Sequence, residues 1–368
     1  MVLRRVYTDM KRRILMLAMA GMLVLTSLTG CSSFNDDDVV VTVNDTEITA
    51  DVANFYARYM QAQYETYYSA YLGDDMWSSE AEEGKTYEES VKDSVLEELE
   101  KMVLLEEHME EYDVSLSDEE KQVIEDAAKE FDEANALEDK EKVSGTEKAV
   151  KRVMTLLAIQ QKMSDAIQAT ADAEVSDEEA AQKSMQYVYF SYTTTAEDGT
   201  TQDMTDDEKA DVKAQAEGFA EGAATAEDFN AYAQEQGLET STATFDKDST
   251  SPSADLVAAA DALNEGEITG VVDTDSGCYV AKVTSLFDQD ATNSKKQEII
   301  SQRQQEKYTE TCDGWMDDAD INVNKKVWKK IDFNDLSVTI KEESEEPYAD
   351  SIQTDDVAES EDSGTEAE

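Results

Sequence analysis

The feature that most narrows the fold is a change of period along the chain. From residue 50 to about residue 170, apolar side chains recur at helical spacing in one long pattern after another. Between Tyr187 and Val283 this gives way to short β-branched and aromatic runs, and helix returns from Lys295 to Met316. Consecutive long helices do not build a doubly wound sheet, in which strand and helix alternate throughout. The expected fold class is α+β: a mainly helical module with a separate α+β unit of about a hundred residues inserted into it.

Within the helical part, Val39 to Val43 reads as a strand, Asn44-Asp45 as a tight turn, and Glu47-Ile48-Thr49 as a return strand ending in a helix cap. The helix behind it carries Tyr56, Met60, Tyr64, Tyr67 and Tyr71 on one face, with Phe55 and Tyr59 beside them. Such a stripe reads first as core. The alternative is a groove in which tyrosines offer apolar area with a polar tip to unfolded chain. Trp77 to Thr86 reads as a loop. Val91, Val95, Leu96, Leu99, Met102 and Val103 mark a second helix, Ser117-Asp118-Glu119-Glu120 opens a third, and Val153, Leu156, Leu157, Ile159, Met163 and Ile167 mark a fourth, from near Thr146. In the inserted unit we expect a strand at Tyr187 to Tyr192, helix over residues 206 to 236, and an extended piece ending at Phe245. A helix over residues 254 to 263 and strands at Gly270 to Val272 and Gly277 to Val283 follow.

The chain begins with Arg4, Arg5, Lys11, Arg12 and Arg13, then an apolar run from Ile14 to Leu28, then Leu28-Thr29-Gly30-Cys31. The run is short for a bilayer span and fits an export signal over residues 1 to 30. The tetrad fits the lipobox of bacterial lipoproteins, in which the cysteine, here Cys31, is lipidated and becomes the first mature residue. Met10 directly precedes Lys11-Arg12-Arg13 and is an alternative start. Residues 31 to 38 then form a tether, and the expected location is the extracytoplasmic face of the cell membrane, held by lipid.

Charge and rare residues exclude whole classes of function. Asp and Glu number 86 against 31 Lys and Arg, a formal net charge of −55, which repels phosphate backbones and argues against nucleic-acid binding. The single histidine, His108, sits among Glu106, Glu107, Glu110 and Glu111 and reads as a solvated helical side chain. No paired-imidazole mechanism is available to this chain as a matter of counting, and we expect no metal and no cofactor. Cys278 and Cys312 are left by spacing either paired or unpaired. The basic cluster Lys325 to Lys330 is expected to pair with acidic helices of the same chain, lipid headgroups being the second reading. Residues 342 to 368 are acidic, lack Lys and Arg, and are expected to be disordered.

The order of these blocks resembles the SurA and PrsA type of parvulin foldase. Val39 to Thr49 is similar to the family's opening "VNGxxIT" segment, with Asp45 where glycine is usual, and Val175-Ser176-Asp177-Glu178-Glu179 is similar to its "VSDEE" lead-in. Ala226 to Ala233 resembles the "xxDFxxLA" helix, Ala259 to Ile268 the "AxxxLxxGEIS" segment, and Gly277 to Val283 the "GYHIIKV" strand. The resemblance implies a SurA-N-like chaperone module over residues 39 to 180 and 290 to 335, around a parvulin-like peptidyl-prolyl isomerase domain at residues 185 to 286. It also implies a foldase for unfolded or nascent secreted proteins, which are the expected partners together with the membrane. The oligomeric state is left open, a homodimer included.

The departures from the family bear on mechanism. Tyr187 and Tyr279 stand where active parvulins carry histidines, and the "GGDLG" segment has no counterpart between Gly237 and Pro252. Tyr187 and Tyr279 are the candidate catalytic positions, and strong isomerase activity is not expected. Tyr56, Tyr64, Tyr67, Phe190 and Phe229 are the candidate client-binding residues. An active isomerase with a rearranged site is the second reading. A solute-binding lipoprotein, which needs a doubly wound sheet in two similar lobes, is the third.

Overall fold

A computed structural model describes residues 23–27, 35–73, 75–195 and 199–340. Expectations for the lipidation site Cys31 and for the acidic tail beyond residue 341 lie outside these residues. The chain forms two units, one from Met1–Ala166 with Glu310–Glu368 and the other from Ile167–Thr309.

The first unit begins with strands β1 (Leu23–Ser27), β2 (Val39–Val43) and β3 (Thr46–Thr49), the last two joined by a turn in which Asn44 takes a φ of 51°. Asparagine tolerates that left-handed geometry better than most residues. Helix α1 (Ala50–Leu72) follows, then the hairpin β4 (Glu80–Glu82) and β5 (Lys85–Thr86), so the expected loop at 77 to 86 contains a short ribbon. Helices α2 (Tyr87–Glu107), α3 (Asp118–Ala134), α4 (Leu137–Lys142) and α5 (Glu147–Gln168) continue the module. Thr86 with Glu89 and Ser117 with Glu120 form reciprocal capping boxes that satisfy otherwise unpaired amides and set where α2 and α3 start.

The second unit contains β6 (Lys183–Ser191), the ribbon β7 (Thr193–Thr195) and β8 (Thr201–Asp203), and helices α6 (Asp206–Ala223) and α7 (Phe229–Glu235). The continuous helix expected over 206 to 236 is thus two helices. Asp228 takes extended geometry and accepts a hydrogen bond from the Ala231 amide, starting α7 afresh. Strand β9 (Ser241–Phe245), helix α8 (Ala254–Asp261), β10 (Val272–Asp273) and β11 (Gly277–Ser285) complete it. Helix α9 (Gln289–Asp318) leads back to the first unit, where β12 (Ile321–Val323), α10 (Lys325–Trp328) and β13 (Leu336–Ile340) end the described chain.

Every strand pair among the described residues is antiparallel. The doubly wound parallel sheet that a solute-binding reading requires does not occur there, and that alternative is set aside. In the first unit the sheet order β12-β2-β3 places the chain's C-terminal part beside its N-terminal part. One core joins Val41, Phe55, Leu99, Phe131 and Leu156 to Trp328, Ile331, Phe333 and Val338. A chain that leaves this core for some 140 residues and returns must close a long loop, a cost that grows only slowly with length.

The returning segment is held by a buried polar network. Glu65 on α1 accepts hydrogen bonds from Trp77 Nε1 (2.8 Å), Gln61 Nε2 (2.6 Å), Ser337 Oγ (2.6 Å) and the Val338 amide (2.7 Å). Gln61 Nε2 also donates to the carbonyls of Phe333 and Leu336. Arg58 donates to Gln61 Oε1 and lies over the Phe333 ring, and burial lowers its pKa to about 10.

Tertiary packing decides three further points. His108 is the C-cap of α2 and half-buried, stacked on Trp315 with centroids 4.0 Å apart and planes within 2°, its Nδ1 2.7 Å from Glu111. It packs an aromatic side chain against α9 where the sequence suggested a solvated one. Cys278 and Cys312 are both buried and form no disulfide. Lys325 and Lys326 make no ion pair among the described residues and line a cleft with Glu47, Asn322 and Asn324.

Candidate functional site

Strand alternation builds the site. The four-stranded sheet runs β10-β11-β6-β9, with Tyr279 opposite Tyr189 and Tyr187 opposite Ala281. Successive side chains point to opposite faces. Val188, Phe190, Tyr192, Cys278 and Val280 therefore pack with Phe219 and Phe229, from α6 and α7. Met185, Tyr187, Tyr279, Ala281 and Val283 share the other face with Leu256, Val257 and Ala260 of α8.

On this second face three phenol rings meet. The Tyr279 centroid lies 5.9 Å from that of Tyr187 and 4.7 Å from that of Tyr189. Tyr189 Oη donates a 2.6 Å hydrogen bond to the Ser276 carbonyl, while the hydroxyls of Tyr187 and Tyr279 have no partner among the described residues. Gly277 lets the strands come this close. A Cβ there would run into the Phe190 carbonyl oxygen and lie 2.5 Å from the Tyr189 ring. Tyr279 forms part of the wall of an open cleft of about 690 Å³, lined also by Pro252, Ser253, Ala254, Asp255 and the turn Asp273 to Ser276.

The rim is acidic and the floor is neutral. Burial, reinforced by the neighbouring Tyr189 and Tyr187, raises the Tyr279 pKa above the ordinary phenol value, so the ring stays protonated at physiological pH. Asp273 is held ionised by hydrogen bonds from Lys213 Nζ (2.7 Å) and Tyr192 Oη (2.6 Å), which lower its pKa. Burial raises the Cys278 pKa, and its side chain belongs to the face opposite the cleft, so it is not an available nucleophile. Among the described residues there is no cluster of three or more His, Cys, Asp or Glu able to hold a metal. The cleft offers the Tyr279 ring to a flat apolar ring, and its neutral hydroxyl can donate to a carbonyl oxygen.

The structure places the candidate catalytic positions Tyr187 and Tyr279 on one sheet face with ring centroids 5.9 Å apart. It divides the candidate client-binding residues. Phe190 and Phe229 are 5% and 2% exposed, and Tyr56 is 4% exposed, all within hydrophobic cores. As core side chains they cannot present surface to a partner without unfolding, and they are withdrawn. Tyr64 is half-buried between Trp77, Tyr87 and Tyr68, and only Tyr67, at 63% exposed, projects freely. Tyr68, Tyr71 and Leu72 share that exposed end of α1. The sequence reading missed Tyr189, although its spacing of two from Tyr187 in a strand already put both on one face. It also missed the acidic rim, which comes from segments far apart in the chain.

Residues 194–293 match the family model of the PPIC-type PPIase domain and residues 5–144 that of the SurA-like N-terminal domain. Tyr279 lies within the first match, and Tyr187 and Tyr189 lie just before it. Comparison with curated proteins gives no match. Among solved structures, the foldase protein PrsA from Streptococcus pneumoniae is similar at 20% identity, covering 70% of this chain and 99% of that one, with a TM-score of 0.29. The peptidylprolyl isomerase PrsA from Bacillus cereus gives 15% identity, 81% and 98% coverage, and a TM-score of 0.31. A SurA-like chaperone structure from Campylobacter jejuni, from work on PEB4 and Cj1289, gives 13% identity, 77% and 98% coverage, and a TM-score of 0.28. These scores are too low for the overlays to carry an argument, and the family rests on the two domain matches. The chain thus carries a SurA-like N-terminal domain and a PPIC-type PPIase domain in one polypeptide.

Proposed function

We propose that this chain is a lipid-anchored extracytoplasmic foldase that binds unfolded secreted polypeptides, and that its parvulin cleft acts chiefly as a binding site for prolyl segments. The observation that carries this reading is the meeting of Tyr187, Tyr189 and Tyr279 beside one cleft, without an imidazole. Prolyl isomerisation needs no covalent step. It requires only that a twisted amide be stabilised against a barrier of about 18–20 kcal/mol. A phenol can donate one hydrogen bond to that amide, worth about 1 kcal/mol net, which limits the acceleration to about fivefold. The strong negative charge favours basic or neutral clients and keeps a complex soluble. Cys31 after the apolar run supports anchoring by lipid, and the positive flank supports export.

Two measurements test the reading. At stoichiometric concentration the protein should suppress aggregation of a reduced, unfolded client; unchanged aggregation overturns the foldase function. In a protease-coupled prolyl-peptide assay, the protein should accelerate isomerisation weakly or not at all. Any acceleration should be flat between pH 5 and 8, because no imidazole titrates in the cleft. Acceleration of a hundredfold or more that Tyr279→Ala abolishes favours the second reading, an active isomerase with a rearranged site. Anchoring is tested separately by incorporation of labelled fatty acid, which Cys31→Ser should eliminate.

A further inference from the structure

Strand β13 has two edges, and they are treated differently. On one edge the Leu336 carbonyl accepts from Gln61 Nε2 (2.6 Å), the Val338 amide donates to Glu65 Oε2 (2.7 Å) and the Ile340 amide donates to Thr66 Oγ1 (3.0 Å). Backbone groups of successive strand residues point to opposite edges, so Ser337 and Thr339 present theirs away from α1. That second edge is covered by β1, antiparallel, from Leu23 opposite Ile340 to Ser27 opposite Leu336. Helix side chains thus satisfy one side of β13, and the other is satisfied by a five-residue extended segment of sequence Leu-Val-Leu-Thr-Ser.

That segment lies inside the apolar run that reads as an export signal, removed before Cys31. Its removal opens the backbone groups of Ser337 and Thr339 on that edge. An open strand edge is a template for another extended strand.

We infer that in the chain beginning at Cys31 the free edge of β13 binds an extended, uncharged, apolar-rich segment of a non-native polypeptide as an added antiparallel strand. The inference rests on the foldase reading for its class of partner. The chemistry of the occupant follows from the segment already seated there, which carries no charge and pairs over five residues. Main-chain hydrogen bonds make such a site tolerant of sequence, which suits a protein that meets many clients, and negative charge within the added strand works against it on so acidic a chain.

The test is fluorescence anisotropy with a labelled peptide containing Leu-Val-Leu-Thr-Ser, titrated with the chain beginning at Cys31. Saturable binding is expected, at least tenfold weaker for the full chain, whose edge is occupied, and for a peptide with aspartates at alternate positions. Thr339→Pro removes an amide that faces the open edge and leaves the contacts to α1 in place, so it should also weaken binding at least tenfold. Equal affinity for folded Thr339→Pro, or no saturable binding, overturns the site. Should that variant fail to fold, hydrogen exchange on the unaltered chain decides: added peptide must protect the Ser337 and Thr339 amides, and no protection overturns it. A dimer that excludes the peptide and is abolished by Thr339→Pro would overturn it in favour of a second copy as occupant. Peptide binding without suppression of client aggregation would overturn the foldase function and leave the edge site standing; the reverse result would do the opposite.

Discussion

Tyr187 and Tyr279 show how much a single position within a motif can specify. Their motifs place them, and strand alternation turns each toward the same face. What they do depends also on Tyr189 and Gly277, because the Tyr189 ring packs on Tyr279 where the absence of a Cβ at Gly277 leaves room for it. Glu100 on α2 is a different case, because its sequence context is an ordinary acidic helix face. In the fold it is 8% exposed, and burial, with Glu97 nearby, pushes its carboxyl up to about 7. A carboxylic acid that keeps its proton in the fold but loses it in the unfolded chain stabilises the fold at low pH. That contribution fades as pH rises from about 4.5 through about 7. Glu100→Gln should therefore raise the denaturation midpoint at pH 8 by an amount equivalent to at most about 3 kcal/mol, and leave it unchanged at pH 4. Urea titrations at the two pH values check this; a gain of equal size at both would mean burial is not the cause.

At the scale of elements, helix starts were readable because their caps are local. Ser117 and Glu120 are three residues apart, and either one predicts the other's hydrogen bond. The break at Asp228 was missed because apolar residues on both sides of it, Phe219 and Phe229 among them, face one core, while the cap at Asp228 interrupts the backbone. Strand β13 was missed for another reason. Its residues look like any short β-branched run, and what makes them a strand is their distant partners, β1 on one edge and, on the other, Glu65, more than 270 residues away in the chain. Glu65→Ala would leave the Trp77 indole N–H and the Val338 amide without their acceptor in a buried site, costing about 3 kcal/mol. Chemical denaturation should show the loss, together with faster hydrogen exchange at residues 336 to 340. Normal exchange there would show that β13 is held by something other than Glu65.

For the whole molecule, charge is the dominant global property. A net charge of −55 repels itself in the compact state, and salt relieves that repulsion. Raising ionic strength from 0.01 M to 0.15 M shortens the Debye length from about 30 Å to about 8 Å, so the thermal midpoint should rise by several degrees. A midpoint that falls with salt would mean the exposed pairs, such as Lys151 with Glu125, outweigh the repulsion.

From residue order alone came the α+β class, the interrupted helical module, the family and the absence of a two-imidazole site. All of these depend on local period, on motif order or on counting. Tertiary structure alone decided that Phe190, Phe229 and Tyr56 are core, that His108 stacks on Trp315, and that Asp255 and Asp273 share a rim with Tyr279. The physical reason is common to all three. Burial and proximity belong to pairs of segments brought together by folding, and an amphipathic pattern records that a side chain faces something without recording what it faces.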